Sequence, residues 1–331
     1  MKYLIIRLGA IGDVVHSTII AQAIKNKDNN CEIHFLTADF IKPLIELSPF
    51  IDKVIPFDMK KSNNFFYLFK TGFKLLFERY DIIFPLSNTV RNFIMTYFAF
   101  PKKIVKRNRN RVHAVDAFYN TAVDGLGELE KPKKIILNIN PELKEKINGL
   151  TKDFPRPYFV FSPGGANDNA RQGRIWADES WIELGNQLVS KYGGTVFIVG
   201  SKGEREHHKV FEKINNSKIF SGELSLEESA ALYSLSDIFF SGDSGPLHIA
   251  GCFDCNIIAL YGSTNPISVS PYGHDNSCII PKTDCKFCEK RVCSELKEGE
   301  KITPCMRSIT PEMILGFIEA RNILNSEAQR V

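Results

Sequence analysis

Gly9-Ala10-Ile11-Gly12-Asp13 follows a short apolar run at residues 2–8 and precedes a stretch with helical spacing, Val15, Ile19 and Ala23. Glycines at Gly9 and Gly12 let backbone come close to a ligand. Asp13 falls in the first turn of that helix, where the helix dipole favours a carboxylate. A carboxylate so placed suits a general base; a plain helix-start acid has the same sequence. Ser241-Gly242-Asp243-Ser244-Gly245-Pro246-Leu247-His248 is a second such segment. Free amides where a helix begins attract anions. Ser244 adds a hydroxyl, Gly245 a small residue and His248 a ring nitrogen. A helix N-cap with a satisfied histidine is the simpler alternative, but a carboxylate and a histidine among small residues favour a phosphate site. Ser162-Pro163-Gly164-Gly165 is a third loop, with Arg174 downstream as a fork for phosphate. Glu204, in Gly200-Ser201-Lys202-Gly203-Glu204, is an acid able to accept from ribose hydroxyls.

Each of these loops follows an apolar run of strand length. Residues 2–8, 31–36, 54–57 and 81–86 read as strands of a first set, and residues 158–162, 195–200, 237–241 and 256–261 as strands of a second. Helical stretches alternate with them, notably residues 14–24, 181–191 and 226–235. Alternating strands and helices imply parallel sheets covered on both faces. The pattern restarts after Lys152-Asp153-Phe154-Pro155-Arg156-Pro157. The expectation is therefore an α/β protein of two doubly wound domains, residues 1–152 and 153–331, the second closing on an amphipathic helix at residues 310–324. A cleft between the two would bring a nucleotide-bearing donor to the Asp13 carboxylate. Neither half has Gly-x-Gly-x-x-Gly after its first strand, which argues against a nicotinamide dehydrogenase.

The chain has 331 residues, 44% hydrophobic and 24% charged, the profile of a soluble globular protein. No apolar run reaches the roughly 20 residues of a membrane span; residues 92–100 come nearest. Arg7 and Gly9 interrupt any signal-peptide core. A net charge of +4 is too small to imply nucleic acid. Its distribution is uneven: residues 1–150 hold 23 Lys and Arg against 15 Asp and Glu, the remainder 19 against 23. The first half is expected to meet something anionic.

The order and spacing of these motifs resemble glycosyltransferase family 9, the bacterial ADP-heptose:lipopolysaccharide heptosyltransferases. The resemblance is carried by residues 6–13 and 49–54, by Ser162–Gly165, by Asp243-Ser244-Gly245-Pro246-Leu247-His248-Ile249-Ala250, and by residues 260–266, 271–273 and 305–312. It implies a GT-B fold, two Rossmann-like domains facing across a central cleft. It implies inverting transfer of heptose from ADP-heptose with no catalytic metal, Asp13 as general base. Gly12, Ser162, Gly164, Gly165, Arg174, Glu204, Asp243, Ser244, Gly245 and His248 would bind the donor, with Asp243 facing the sugar and Glu204 on the nucleoside. Another nucleotide sugar, or a protein acceptor, is the alternative within the family. Arg174-Ile175-Trp176 stands where members usually carry Lys-Arg-Trp, and Pro85-Leu86-Ser87-Asn88 where they usually carry an acid.

The acceptor implied is an anionic, lipid-linked inner-core saccharide at the cytoplasmic face of the inner membrane, with Lys60 and Lys61 as its cationic patch. Lys70, Lys74, Lys102, Lys103, Lys106, Arg107, Arg109 and Arg111 extend the basic surface. Residues 64–77 are rich in aromatics. A core-packed helix with one charged face is the simpler reading, and transient contact with a membrane surface the other. Cys285, Cys288, Cys293 and Cys305 have the thiolate count of a structural zinc or iron site, although the x4 and x11 gaps are loose. Some heptosyltransferases that modify proteins bind iron through such a cluster. Free thiols or disulfides are the alternatives. Cys31, Cys252 and Cys255 sit in apolar settings and read as core.

Overall fold

The computed structural model describes residues 1–107, 112–164, 172–274 and 276–324. The chain divides into two compact units, Met1–Asn138 and Ile139–Val331. The division comes earlier than the expected joint at residue 152. The cause is the helix Pro141–Thr151, whose buried Ile147 and Thr151 pack with the second unit, where Lys146 also pairs with Glu228.

The first unit is built on five parallel strands: β1 (Lys2–Ile6), β2 (Glu32–Ala38), β3 (Lys53–Phe57), β4 (Ile82–Pro85) and β5 (Lys103–Ile104), in the order β3-β2-β1-β4-β5. Its helices are α1 (Ile11–Lys27), α2 (Lys42–Ile45), α3 (Phe65–Leu76), α4 (Val90–Phe98) and α5 (Ala114–Leu126). Burial on both sheet faces explains why β1 reads as a continuous apolar run instead of an alternating one. Its core gathers Leu4 and Ile6 of β1, Ile83 of β4, Leu68 and Leu75 of α3 and Met95 of α4.

The second unit opens with α6 (Pro141–Thr151). Its six parallel strands are β6 (Tyr158–Ser162), β7 (Thr195–Ile198), β8 (Ser217–Ile219), β9 (Ile238–Gly242), β10 (Asn256–Leu260) and β11 (Cys278–Ile279). Their order, β11-β10-β9-β6-β7-β8, is the 3-2-1-4-5-6 Rossmann arrangement. Around it lie α7 (Asp178–Tyr192), α8 (Arg205–His208), α9 (Leu226–Leu235), α10 (Gly245–Ala250), α11 (Pro266–Val269), α12 (Pro304–Arg307) and α13 (Pro311–Ala320). Its core is aromatic: Phe161 packs on Trp181 and Phe240, each ring pair 5.0 Å between centroids, and Trp176 meets Trp181 edge-on. Thr310 caps α13, but that helix ends at Ala320, short of the expected residue 324.

Both sheets switch direction beside their first strand, between β1 and β4 and between β6 and β9. Ligands of open α/β sheets bind at such points, at the carboxyl ends of the strands. No helix among the described residues is long and apolar enough to cross a membrane.

A charged cluster closes the opposite, amino-terminal end of the first sheet. Glu78 accepts from Lys2 and Lys53, both at 2.6 Å, and these two lysines hold its carboxyl down at about 2. A depressed carboxyl stabilises the fold above its unfolded value near 4.5 and loses that contribution as pH falls towards 2. We expect wild type to lose on the order of 2 kcal/mol through this group over that window. Melting curves of wild type and Glu78→Gln should converge at pH 2 and separate by pH 5.

Candidate functional site

In the first unit, Asp13 is the third residue of α1, at the carboxyl end of β1. Gly12 precedes it within the same first turn. Turning from strand to helix forces Ala10 to φ 57°, a left-handed conformation that costs a residue with a Cβ about 1 kcal/mol. Strain of this kind collects at functional sites. Arg7 fixes the acid. Its Nη2 pairs with Asp13 Oδ2, and its Nη1 donates to the Leu86 carbonyl at 3.4 Å. One guanidinium thus ties the loop after β1 to the loop after β4. The Arg7 side chain is 11% exposed and that of Asp13 32%, so the carboxylate keeps a face open to a substrate.

A cavity of about 500 Å³ opens after β4, lined among others by Ser87, Asn88, Asn92, Phe93, Tyr97 and Lys106. It occupies the position of the missing acid at Pro85–Asn88. Lys60 and Lys61 are exposed on a single 3₁₀ turn after the edge strand β3, two strands away from β1. Lys61 pairs with Asp58 at 3.1 Å. Of the other basic residues, Arg109 and Arg111 lie outside the described residues.

In the second unit the site residues form two groups. Arg174 centres the first. Its Nη2 lies 2.6 Å from Asp243 Oδ2, its Nη1 donates to the Asp243 carbonyl at 3.1 Å, and its Nε donates to the Thr264 hydroxyl at 3.0 Å. His248 Nε2 is 3.5 Å from the other Asp243 oxygen. Burial alone would raise the Asp243 carboxyl; the His248 hydrogen bond, Arg174 and Thr264 together outweigh it and hold the group below its usual value. The Asp243 carboxylate and the Arg174 guanidinium, expected on a sugar and on a phosphate, also pair with one another here. Each answers the other, because a side chain only 4% exposed, as that of Asp243 is, needs a counter-charge.

The second group holds the loop after β6. Gly164, at φ 64°, takes a conformation that glycine adopts freely. Its carbonyl faces His208 Nε2 at 3.4 Å, while His208 Nδ1 meets the Ser221 hydroxyl at 2.7 Å. Glu204 accepts from the Ser201 amide and hydroxyl at 2.8 and 2.7 Å, which folds the loop after β7 on itself. Between the groups, the Ser241 hydroxyl lies 3.2 Å from the Ser162 carbonyl and 2.8 Å from the Ser244 hydroxyl. Ser244 also caps α10, whose first residue is Gly245, so the helix-cap reading of this segment holds as well. Gly165 lies outside the described residues.

His208 and Ser221 escape the sequence reading, and Thr264 enters it only within the matching run of residues 260–266. His208 meets Gly164 across 44 residues of chain, and no local pattern announces such a contact. We expect His208→Phe to cost about 1–2 kcal/mol, from the lost contacts to the Gly164 carbonyl and to the Ser221 hydroxyl, which keeps only a 3.5 Å bond to the Ile198 carbonyl. If the Gly164 loop receives the ADP that the sequence resemblance implies, ADP affinity should fall with it, because that loop loses its tether. Thermal melts and an ADP titration measure the two effects.

All four cysteines of the cluster are free thiols in the structure, one of the alternatives left open above. Cys305 is buried with its sulfur 3.1 Å from the Thr303 hydroxyl, whereas Cys288 is exposed. Burial, then the neighbouring Cys305, Cys293 and Cys288, raise the Cys285 thiol, so the four share a region. Yet no group of three or more His, Cys, Asp or Glu among the described residues is disposed to hold a metal ion. Cys31, Cys252 and Cys255 are buried, as core residues should be.

Comparison with known proteins gives the family. The family model for glycosyltransferase family 9 (heptosyltransferase) matches residues 102–298. Lipooligosaccharide heptosyltransferase 2 of Haemophilus influenzae is 27% identical, over 95% of this chain and 97% of its own length. Among solved structures, E. coli ADP-heptose lps heptosyltransferase II superposes with a TM-score of 0.80 at 20% identity, covering 99% of this chain and 100% of the other. The iron-containing dodecameric glycosyltransferase TibC of enterotoxigenic E. coli reaches a TM-score of 0.58 at 14% identity, over 97% of this chain and 76% of its own. The Rossmann order of both sheets agrees with the shared GT-B fold. With more than half its length matched by the family model, the chain belongs to glycosyltransferase family 9, and it is a glycosyltransferase.

Proposed function

We propose that this protein is an inverting transferase that carries L-glycero-D-manno-heptose from ADP-heptose to an anionic lipopolysaccharide inner-core acceptor, Kdo or heptose, at the cytoplasmic face of the inner membrane. The observation that carries the reading is Asp13, held by Arg7 at the carboxyl end of β1, in a chain that matches a heptosyltransferase along nearly its whole length.

Asp13 takes the proton of the acceptor hydroxyl as that oxygen attacks the anomeric carbon. The bond from that carbon to the ADP oxygen breaks on the opposite face, and the electron pair leaves with the pyrophosphate. Inversion follows from this single displacement. Gly164, Ser162, Ser244 and Gly245 receive the pyrophosphate through backbone and hydroxyl donors at the β6–β9 switch point. Charge stabilisation of that leaving group is the larger catalytic contribution. Arg174, braced by Asp243, Thr264 and His248, supplies positive charge beside it. Glu204 accepts from the ribose. Lys60 and Lys61 offer the acceptor's phosphates and carboxylates a cationic approach.

The test is donor turnover. Purified protein, ADP-heptose and a Kdo-lipid A or heptosyl acceptor should release ADP only when acceptor is present. Equal release without acceptor would mean simple hydrolysis and would overturn the transfer. Tight ADP-heptose binding without release on either acceptor would move the acceptor class to protein.

A further inference from the structure

Helix α3 packs on the core along one side only. Only Leu68, Gly72 and Leu75 of α3 are buried. Gly72 lets α4 come close, since a Cβ there would stand 2.9 Å from Phe98 Cβ and 3.0 Å from the Met95 carbonyl. On the side away from the core, the two helices share a run of aromatic rings in contact. Phe77 meets Phe73, Phe73 stacks on Phe69, and Phe69 meets Phe98 across the crossing at 4.7 Å. Phe98 then meets Tyr97, and Tyr97 meets Phe93. Solvent reaches most of this ladder: Phe77 is 71% exposed, Phe93 69% and, beside them, Phe66 81%. Such a continuous apolar surface marks a partner.

Charge says which partner. Residues 59–77 contain four lysines and no acid, and residues 85–107 contain five Lys and Arg and no acid. Lys70 and Lys74 stand one turn apart on α3, exposed among the phenylalanines. Aromatic rings with interspersed cations suit the boundary of an anionic bilayer, where rings enter the headgroup layer and lysine stems reach up to phosphates. A second copy fits poorly. Its two-fold contact would lay the same cations against each other without an acid to answer them.

We propose that the α3–α4 aromatic face is the surface by which this protein docks on an anionic phospholipid bilayer, with Phe66, Phe73, Phe77 and Phe93 entering the headgroup layer and Lys70 and Lys74 pairing with lipid phosphates. This deepens the reading above, because a lipid-linked acceptor has to be met at a membrane. Its test needs no transfer reaction, so either can fail without the other.

The full-length protein is sedimented with vesicles of phosphatidylglycerol and phosphatidylethanolamine, and with vesicles of phosphatidylcholine alone. Binding to the first and little to the second is expected, weakening with salt. Phe66→Ser with Phe93→Ser should cut binding about tenfold or more. Lys70→Glu with Lys74→Glu should do the same. Both pairs are exposed, and a melting curve checks that each variant folds. A Phe66→Trp protein should shift its emission to the blue on anionic vesicles and be quenched by brominated acyl chains. Equal binding to both vesicle types, unchanged binding of the variants, or an unshifted tryptophan would overturn the proposal. So would a dimer that Phe93→Ser converts to monomer while vesicles are ignored, since a second copy would then cover the face.

Discussion

Asp13→Asn should lower kcat for heptose transfer by about 10²–10⁴-fold, the usual worth of a positioned general base, and leave ADP-heptose affinity within about twofold. The amide keeps the size of the carboxylate and cannot accept the proton. Donor affinity should hold because the residues assigned to ADP, Gly12 apart, lie in the second unit, whereas Asp13 belongs to the first. The pattern of a lost kcat with an unchanged donor Kd is what separates a base from a binding residue. Asp13→Ala should show the same loss. A variant that retained transfer would remove Asp13 from the chemistry and leave the donor site standing.

The Arg7 pairing adds a condition to that experiment. Arg7 is largely buried, and with Asp13 gone its guanidinium keeps only the Leu86 carbonyl. An uncompensated buried cation costs stability, here on the order of 1–3 kcal/mol. Activity is therefore to be compared at a temperature where melting curves show both proteins folded. Arg7→Met asks the reverse question. It leaves the base and removes its tether, and the expected result is a tenfold fall in kcat from misorientation.

How far these residues could be found without coordinates depends on the length of the contact. β6 (Tyr158–Ser162) and α9 (Leu226–Leu235) match the sequence reading residue for residue, since a short apolar run and helical spacing are local signals. The glycine turn and Asp13 were legible for the same reason, lying within five residues. The Arg174–Asp243 pair was not, because it joins residues 69 apart through a register that only the sheet creates. Each appeared as a separate ligand residue. The outward face of α3 was not decided by sequence for a different reason: aromatic content alone is the same in a core helix and in a surface one. Its periodicity places Phe66, Phe69, Phe73 and Phe77 on one stripe, and only the partner surface says that this stripe faces out.

Arg174→Ala should destabilise the protein by about 3 kcal/mol, more than truncation of most partly exposed arginines. The reason lies in the partner left behind. Asp243 is almost fully buried, and with Arg174 gone its carboxylate loses its guanidinium and keeps the His248 ring at 3.5 Å and the Thr264 hydroxyl. Asp243→Ala together with Arg174→Ala should recover much of that loss, because no unpaired charge then stays in the interior. The shortfall between the double variant and the sum of the singles, about 2–3 kcal/mol, measures the coupling. ADP-heptose affinity should not recover with stability. If Arg174 serves the donor's phosphates, its positive charge is absent from single and double variant alike, and both should bind the donor weakly while the double melts near wild type. Recovery of donor binding in the double variant would mean that Arg174 is there for Asp243 alone, and the charge beside the leaving group would have to be sought in another residue.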